Sequence, residues 1–377
     1  MKKKLLINFV CYRPVGHIVE ALKYARGHFV RNKNIELHLL LNADSPVEIA
    51  ASCPWLKKVY PVSLREICKY GEHAPSLRRI PKKWDYIVSD FRVREFKKGW
   101  DEDDLIKTQA VLQELFTARL ARGYTQVEKS ILPYERNARL DISVPKSAQK
   151  FIRHKHNGPS ICILPGGSAG AKQSPSLKIW LEICKSLEKE TPNLKVYFTG
   201  VTNTETGRTA TDDFITKDID VLVSKLQNAE NCFNIGIWNQ LALIKQCDIF
   251  LSPHTGFAFL APCVCTPWLA LSGCPWSEYI FNDTPFYSVL PDCGWYPSQG
   301  ETKKGCGKLL WNGKKSLCMK DNAVRKRIPD IIRGAKLLRD SKFTYQKAVS
   351  LHLKNIKKKN IKNTYFLDGM DGLLRKC

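Results

Sequence analysis

The residues best suited to chemistry fall in three short stretches of the second half of the chain. In the first, Pro165-Gly-Gly-Ser-Ala-Gly170 follows the apolar run Ser160 to Leu164, and Lys172 comes next. In the second, an apolar run from Lys195 ends at Thr199-Gly200, with Glu205 a few residues on. In the third, Cys247-Asp-Ile-Phe-Leu251 leads into Ser-Pro-His-Thr-Gly256 and then into an apolar helix start, Phe257 to Pro262. Small residues at a strand end, just before a helix, leave backbone N–H groups turned outward beside a positive helix terminus. That arrangement binds phosphate oxygens. The amides of Gly166, Gly167 and Ser168, the Lys172 cation, and the amides of Thr255 and Gly256 would together cradle a diphosphate. No Gly-x-x-x-x-Gly-Lys-Ser/Thr string exists, so the cradle is not a P-loop. Taken singly, each stretch is equally an ordinary strand-helix connection, with plain turns at Gly166 and Gly167 and a solvated loop lysine at Lys172.

The elements that must position these loops follow from periodicity. In the first half, apolar runs at Leu5 to Val10, Ile35 to Leu41, Lys57 to Val62 and Tyr86 to Asp90 read as strands. Ile18, Val19, Leu22, Ala25 and Phe29 recur at helical spacing, as do Leu105, Leu112, Phe116 and Leu120 between Asp101 and about Thr125. The polar stretch from Pro145 to Gly158-Pro159 suits a linker. The grammar then restarts. Ser160 to Leu164 is a strand, Ser174-Pro175 caps a helix, and Leu177, Trp180, Leu181 and Cys184 share one face of it. Strands alternating with helices imply parallel sheets covered on both faces. The expected class is therefore α/β, with two Rossmann-like doubly wound domains at 1–150 and 151–340 and a basic tail at 341–377 that includes a helix packing back on the first domain. Ligands of such sheets sit at the carboxyl ends of the strands, where all three loops fall.

Composition narrows the partners. A net charge of +24 over 377 residues favours polyanions: anionic lipid headgroups, phosphorylated glycans, sugar nucleotides or nucleic acid. The basic runs Lys2 to Lys4 and Lys354 to Lys362 are solvated faces or contacts to an anionic membrane surface. No aromatic-basic recognition motif accompanies them, so nucleic acid is not expected. No apolar run reaches the roughly 20 residues of a membrane span, and Met1 to Val10 reads as a buried strand, not a leader. The 14 cysteines, several inside apolar segments, fit a cytoplasmic protein with reduced thiols. The acidic run Asp101-Glu-Asp-Asp104 opens a helix, where carboxylates suit the dipole, and is not read as a metal site.

With these residues in view, the chain resembles the heptosyltransferases of bacterial lipopolysaccharide synthesis, glycosyltransferase family 9, which have the GT-B fold. The resemblance rests on Pro165-Gly-Gly-Ser with Lys172-Gln-Ser-Pro175 and Trp180, on Asp248 to Gly256 with Thr266-Pro-Trp-Leu-Ala-Leu-Ser-Gly273, and on Gly16-His-Ile-Val-Glu-Ala-Leu-Lys-Tyr-Ala25. It implies an inverting, metal-independent sugar transfer from a nucleotide-diphospho-sugar, an ADP-sugar first, to a glycan, glycolipid or protein hydroxyl. No bound cofactor is implied. By position, Lys172, Thr255 and Gly256 would hold the diphosphate, and Glu205 would meet the ribose hydroxyls. Two residues depart from the family pattern. Its aspartate base is replaced by His17, and the aspartate before Thr-Gly by His254. An imidazole can accept a hydroxyl proton near neutral pH, and a protonated His254 would offset leaving-group charge; both residues are otherwise structural, and Glu20 and Asp90 are the other candidate bases. Cys274, Cys293, Cys306 and Cys318 resemble the set of one branch, the autotransporter heptosyltransferases, in which cysteines carry iron. Without a Cys-x-x-Cys pair no metal is expected here. The alternatives are a GT-B UDP-sugar epimerase and a basic, non-catalytic or nucleic-acid-binding protein on the same scaffold.

Overall fold

The computed structural model describes residues 2–11, 13–89, 102–123, 132–135, 137–151, 156–167, 172–202, 211, 214–273, 278, 280–298 and 305–361. The chain divides into two compact units, one holding Met1–Ile142 and the other beginning at Ser143.

The first unit carries a five-stranded sheet of β1 (Lys3–Phe9), β2 (Ile35–Asn42), β3 (Lys58–Val62), β4 (Lys83–Ser89) and β5 (Thr117–Gly123), in the order β3-β2-β1-β4-β5. Every pairing is parallel. The central strand β1 is buried from Leu5 to Phe9, as expected of a parallel strand covered on both faces. Its helix, Val15–Arg31, buries Ile18, Val19, Leu22 and Ala25. The helix expected to run from Asp101 to about Thr125 instead spans Glu102–Leu115 and gives way to β5. Helical spacing through Leu120 was misleading there, because the free edge of β4 pairs the last residues into the sheet, and tertiary pairing outweighs local pattern.

The second unit has six parallel strands: β6 (Ser160–Ile163), β7 (Lys195–Gly200), β8 (Ala229–Phe233), β9 (Ile249–Pro253), β10 (Trp268–Leu271) and β11 (Phe286–Val289). Their order is β11-β10-β9-β6-β7-β8. At the amino ends of β6 and β9, the Asp248 carboxylate accepts from the Ser160 backbone N–H at 2.8 Å, tying the two strands together. The helix Leu177–Glu190 is capped by Ser176, whose hydroxyl accepts from the Ile179 N–H, and not by Ser174 as the sequence reading had it. Ile179, Trp180, Ile183, Cys184 and Leu187 form its buried face. The helix of the basic tail, Tyr345–Lys358, packs on β11 of this same unit, with His352 edge-on to Phe286 at 5.5 Å. That corrects the expectation of a helix resting on the first domain; residues 362–377 lie outside the described residues. Among the described residues, no helix is long and apolar enough to cross a membrane.

Candidate functional site

Strand order reverses between β6 and β9, so the connections that leave these neighbouring strands turn to opposite faces and open a crevice between them. The glycine loop follows β6 and the Pro253–Gly256 turn follows β9. They meet closely: a Cβ built on Gly167 would lie 2.7 Å from Thr255 Cγ2. Glycine at 167 lets the loop lie directly against the Thr255 side chain. Behind the loop, the buried Trp180 donates its indole N–H to the Pro165 carbonyl at 3.0 Å, and Leu164 N–H bonds to Leu251 O. Gly166 has its own constraint, since a Cβ there would sit 2.8 Å from Ser174 Oγ and 3.0 Å from Phe214.

The turn after β9 differs in detail from expectation. The helix it opens is one 3-10 turn, Gly256–Phe259, followed by the short Leu260–Cys263. A dipole from so few aligned peptides is small, which leaves individual amide and hydroxyl groups as the useful donors. The Thr255 hydroxyl and the fully buried Thr199 hydroxyl have no hydrogen-bond partner among the described residues. A buried polar group without a partner costs about 1–3 kcal/mol, so both hydroxyls mark places where the packing leaves hydrogen-bonding capacity unused. The Ser252 hydroxyl on β9, by contrast, accepts from the Trp268 indole at 3.1 Å.

His254 stands edge-on to Phe259, ring centroids 5.5 Å apart, with its Nδ1 buried. Burial pushes its pKa down to about 4, so at neutral pH the imidazole carries no charge. The expected imidazolium is thus not formed in this structure, because the surroundings that desolvate the ring withhold the water a cation needs.

Lys172 is exposed, and its carbonyl accepts the Ser316 N–H at 2.9 Å. Gly200 is a packing position: a Cβ would strike Phe233 at 2.5 Å, and its carbonyl accepts from the Gln240 side chain and the Asn234 N–H. Ser168, Glu205, Asp90 and Cys274 lie outside the described residues.

In the first unit the order reverses between β1 and β4, and the helix after β1 opens at that point. His17 sits in its first turn, with Nδ1 2.6 Å from the Glu20 carboxylate. Glu20 is almost wholly buried, while His17 keeps about a quarter of its side chain exposed (26%). His17 and Glu20 are therefore not rival bases but a hydrogen-bonded pair. The loop before them is braced by Gln109, which bonds to both Asn8 and Cys11.

The partnership of Trp180 with Pro165 and the Ser316 contact are not among the sequence expectations, whereas three of the four cysteines named as a set, Cys293, Cys306 and Cys318, do gather, with their sulfurs within 4.8 Å of one another. The first was detectable, since an indole on a buried helix face needs an acceptor. The second joins segments far apart in sequence.

No family model matches the chain, and no curated protein matches it. Solved structures do. A family 9 glycosyl transferase from Veillonella parvula DSM 2008 matches with a TM-score of 0.61 at 11% identity, over 88% of this chain and 98% of that one. The E. coli heptosyltransferase WaaC, solved with ADP, matches with a TM-score of 0.54 at 12% identity, over 88% and 99%. E. coli ADP-heptose lps heptosyltransferase II matches with 0.53 at 13%, over 89% and 100%. At such identities the likeness is one of fold, and the fold is GT-B: two doubly wound, all-parallel α/β units.

Proposed function

We propose that this chain is a glycosyltransferase that moves a sugar, heptose-like, from a nucleotide-diphospho-sugar to a hydroxyl on an anionic glycan, glycolipid or protein. The observation that carries the reading is the contact of the Gly167 loop with the Thr255 turn at the switch point of the second sheet. It creates a crevice edged by backbone amides, the Thr255 hydroxyl and Lys172, on a fold shared with an enzyme solved with ADP. An ADP-sugar is the favoured donor on that ground.

In the reaction, the acceptor oxygen attacks the anomeric carbon from the side opposite the diphosphate, which inverts the configuration. As that bond forms, the acceptor proton passes to the imidazole of His17. The bond from the anomeric carbon to the diphosphate oxygen breaks, and its electron pair leaves with the nucleotide. Lys172, the Thr255 and Gly256 amides and the Thr255 hydroxyl stabilise the charge gathering on that oxygen. No metal takes part in the transfer as proposed. His254, neutral in this structure, shapes the turn. The exposed lysines 347, 354, 357 and 358 of the last helix give the enzyme a peripheral hold on the anionic inner leaflet from the cytoplasm, where a glycolipid acceptor would reside.

Calorimetric titration with ADP, UDP, GDP and their sugars tests the reading. Binding of ADP species, competed by ADP alone, is the expected result. Failure of all of them to bind would end the donor assignment, and a preference for UDP-sugars with isomerisation at the sugar would favour the epimerase.

A further inference from the structure

Every strand of the first sheet except β5 starts on a lysine or just after one. β1 opens on Lys3-Lys4, β2 follows Lys33, β3 opens on Lys58 after Lys57, and β4 opens on Lys83. Because the pairings are parallel, these starts share one edge of the sheet, in the order β3-β2-β1-β4. Neighbouring strands lie about 4.8 Å apart, so the row is about 14 Å long. These lysines are all exposed. The second sheet starts its strands on Ser160, Lys195, Ala229, Ile249, Trp268 and Phe286, and Lys195 pairs with Glu230 at 3.2 Å. The charge is therefore a property of this edge and not of parallel sheets in general.

Little at the edge offsets that charge. The Glu36 carboxylate is committed to His38 at 2.8 Å, and Asp85 accepts the Lys4 N–H at 2.9 Å. Among the described residues, no carboxylate comes within ion-pair distance of Lys33, Lys57, Lys58 or Lys83. The Glu36 carboxyl is held below the usual carboxylate range, first by its bond with His38 and then by the charges of Lys57 and Lys4, so the sheet itself feels the field of the row. The aromatic rings beside the row are closed off. Lys58 Nζ stands 5.0 Å from the Tyr60 centroid, Lys3 Nζ bonds to the Tyr86 hydroxyl at 3.0 Å, and Tyr60, Trp84 and Tyr86 are all buried. Single-stranded nucleic acid is held by aromatic faces on which bases stack, and these rings offer none.

We infer that the amino edge of the first sheet is a docking surface for a linear anionic glycan, one that carries phosphate, sulfate or carboxylate groups along its length. A row of ammonium groups on flexible stems matches charges repeated along a chain and makes no demand on its sequence. A bilayer fits less well. β1, seven residues long, separates this edge from the loop before His17 by about 23 Å. Headgroups held at the row would leave His17 that far from them, whereas a chain of several sugars lies on the row and extends beyond it. The docking surface stands on the lysines alone; its consequence, that the enzyme selects long and charged acceptors, rests on the transferase reading above.

Calorimetry of the full chain with a heparin octasaccharide as the probe tests the surface. The octasaccharide should bind about tenfold or more tightly than a heparin disaccharide, because only the longer chain spans several lysines. Combining Lys33→Glu, Lys57→Glu and Lys83→Glu should weaken that binding about tenfold or more. The slope of log K against log salt should fall by about three, one per lysine, with circular dichroism and melting temperature as in the parent. Should the triple variant not fold, the wild-type chain decides instead: bound octasaccharide should shield these lysines from acetylation. Parent-like heparin binding by the folded variant overturns the inference, as does a failure to shield. A single-stranded oligonucleotide of equal charge, or phosphatidylserine vesicles, bound through the same lysines and more tightly than the octasaccharide, would assign the edge to nucleic acid or to a membrane and equally overturn it. If the protein binds the octasaccharide but no ADP, the donor reading fails and the docking surface stands.

Discussion

Gly167 and Thr255 belong to different connections, yet a single added methyl group on the glycine would lie 2.7 Å from the threonine Cγ2. A Cβ at that distance forces Thr255 to turn or one of the two loops to shift. Gly167→Ala should therefore part the two loops and weaken ADP binding at least tenfold, or about 1.4 kcal/mol. Thr255→Ser removes the offending methyl group and keeps the hydroxyl, so it should restore much of the affinity in the alanine background. Calorimetry on the two single variants and the double variant reads this directly, and additive losses would show that the contact is not what shapes the crevice.

Trp180 tests the support behind the loop. Trp180→Phe keeps the apolar volume and deletes the N–H that meets the Pro165 carbonyl. The buried carbonyl then lacks its donor, at about 1–3 kcal/mol of stability. Urea denaturation should show that loss, together with a weaker affinity for ADP. A variant as stable as the parent would mean that another donor takes over.

The pairing of His17 with Glu20 makes a kinetic prediction. His17→Ala should lower kcat about 10²- to 10⁴-fold and leave ADP affinity unaltered, because His17 lies in the other unit from the donor loops. Glu20→Gln, which preserves shape and abolishes the charge beside Nδ1, should give a smaller fall in kcat and shift the pH profile of the reaction. Full turnover by His17→Ala would move the base to another residue.

Acid should destabilise the fold over a defined window. Burial holds His28, His254 and His352 each near a pKa of 4, against about 6.5 in the unfolded chain. The unfolded state thus binds more protons between those values. The stability each neutral imidazole contributes is complete above pH 6.5 and is lost as pH falls through 4, on the order of 3 kcal/mol per group. Urea midpoints measured from pH 7 to pH 4 should drop steeply. His352→Leu, away from the donor loops, should flatten the curve; an unchanged slope would mean that His352 is already charged in the fold.

Charge on the tail helix predicts where the protein binds. Replacing Lys354, Lys357 and Lys358 with glutamate should abolish sedimentation with phosphatidylserine vesicles, since each lysine is worth about 1 kcal/mol at such a surface. Phosphatidylcholine vesicles should not retain the parent chain. Equal binding by parent and variant would assign the hold to other residues.

Much of this was legible in the chain. Apolar runs separated by turn residues located most of the strands and the three loops, because a buried parallel strand has little freedom of composition. What escaped was long-range. β5 looked helical until the free edge of β4 claimed it. His17 and Glu20 were weighed as competitors because a sequence shows spacing, not rotamers, and the charge expected on His254 depended on a burial that only packing reveals. The cysteines at 293, 306 and 318 were set aside for want of a close pair, although widely spaced thiols converge as readily when a loop folds over.

Asp248 holds the starts of β6 and β9 to each other at the edge of the sheet remote from the crevice. Alignment of the two strands is therefore secured at one end and chemistry is conducted at the other. Residues at the working end can be exchanged, a histidine for an acid included, without asking the scaffold to find a new register. A chain built this way can change what it recognises while remaining, strand for strand, the same object.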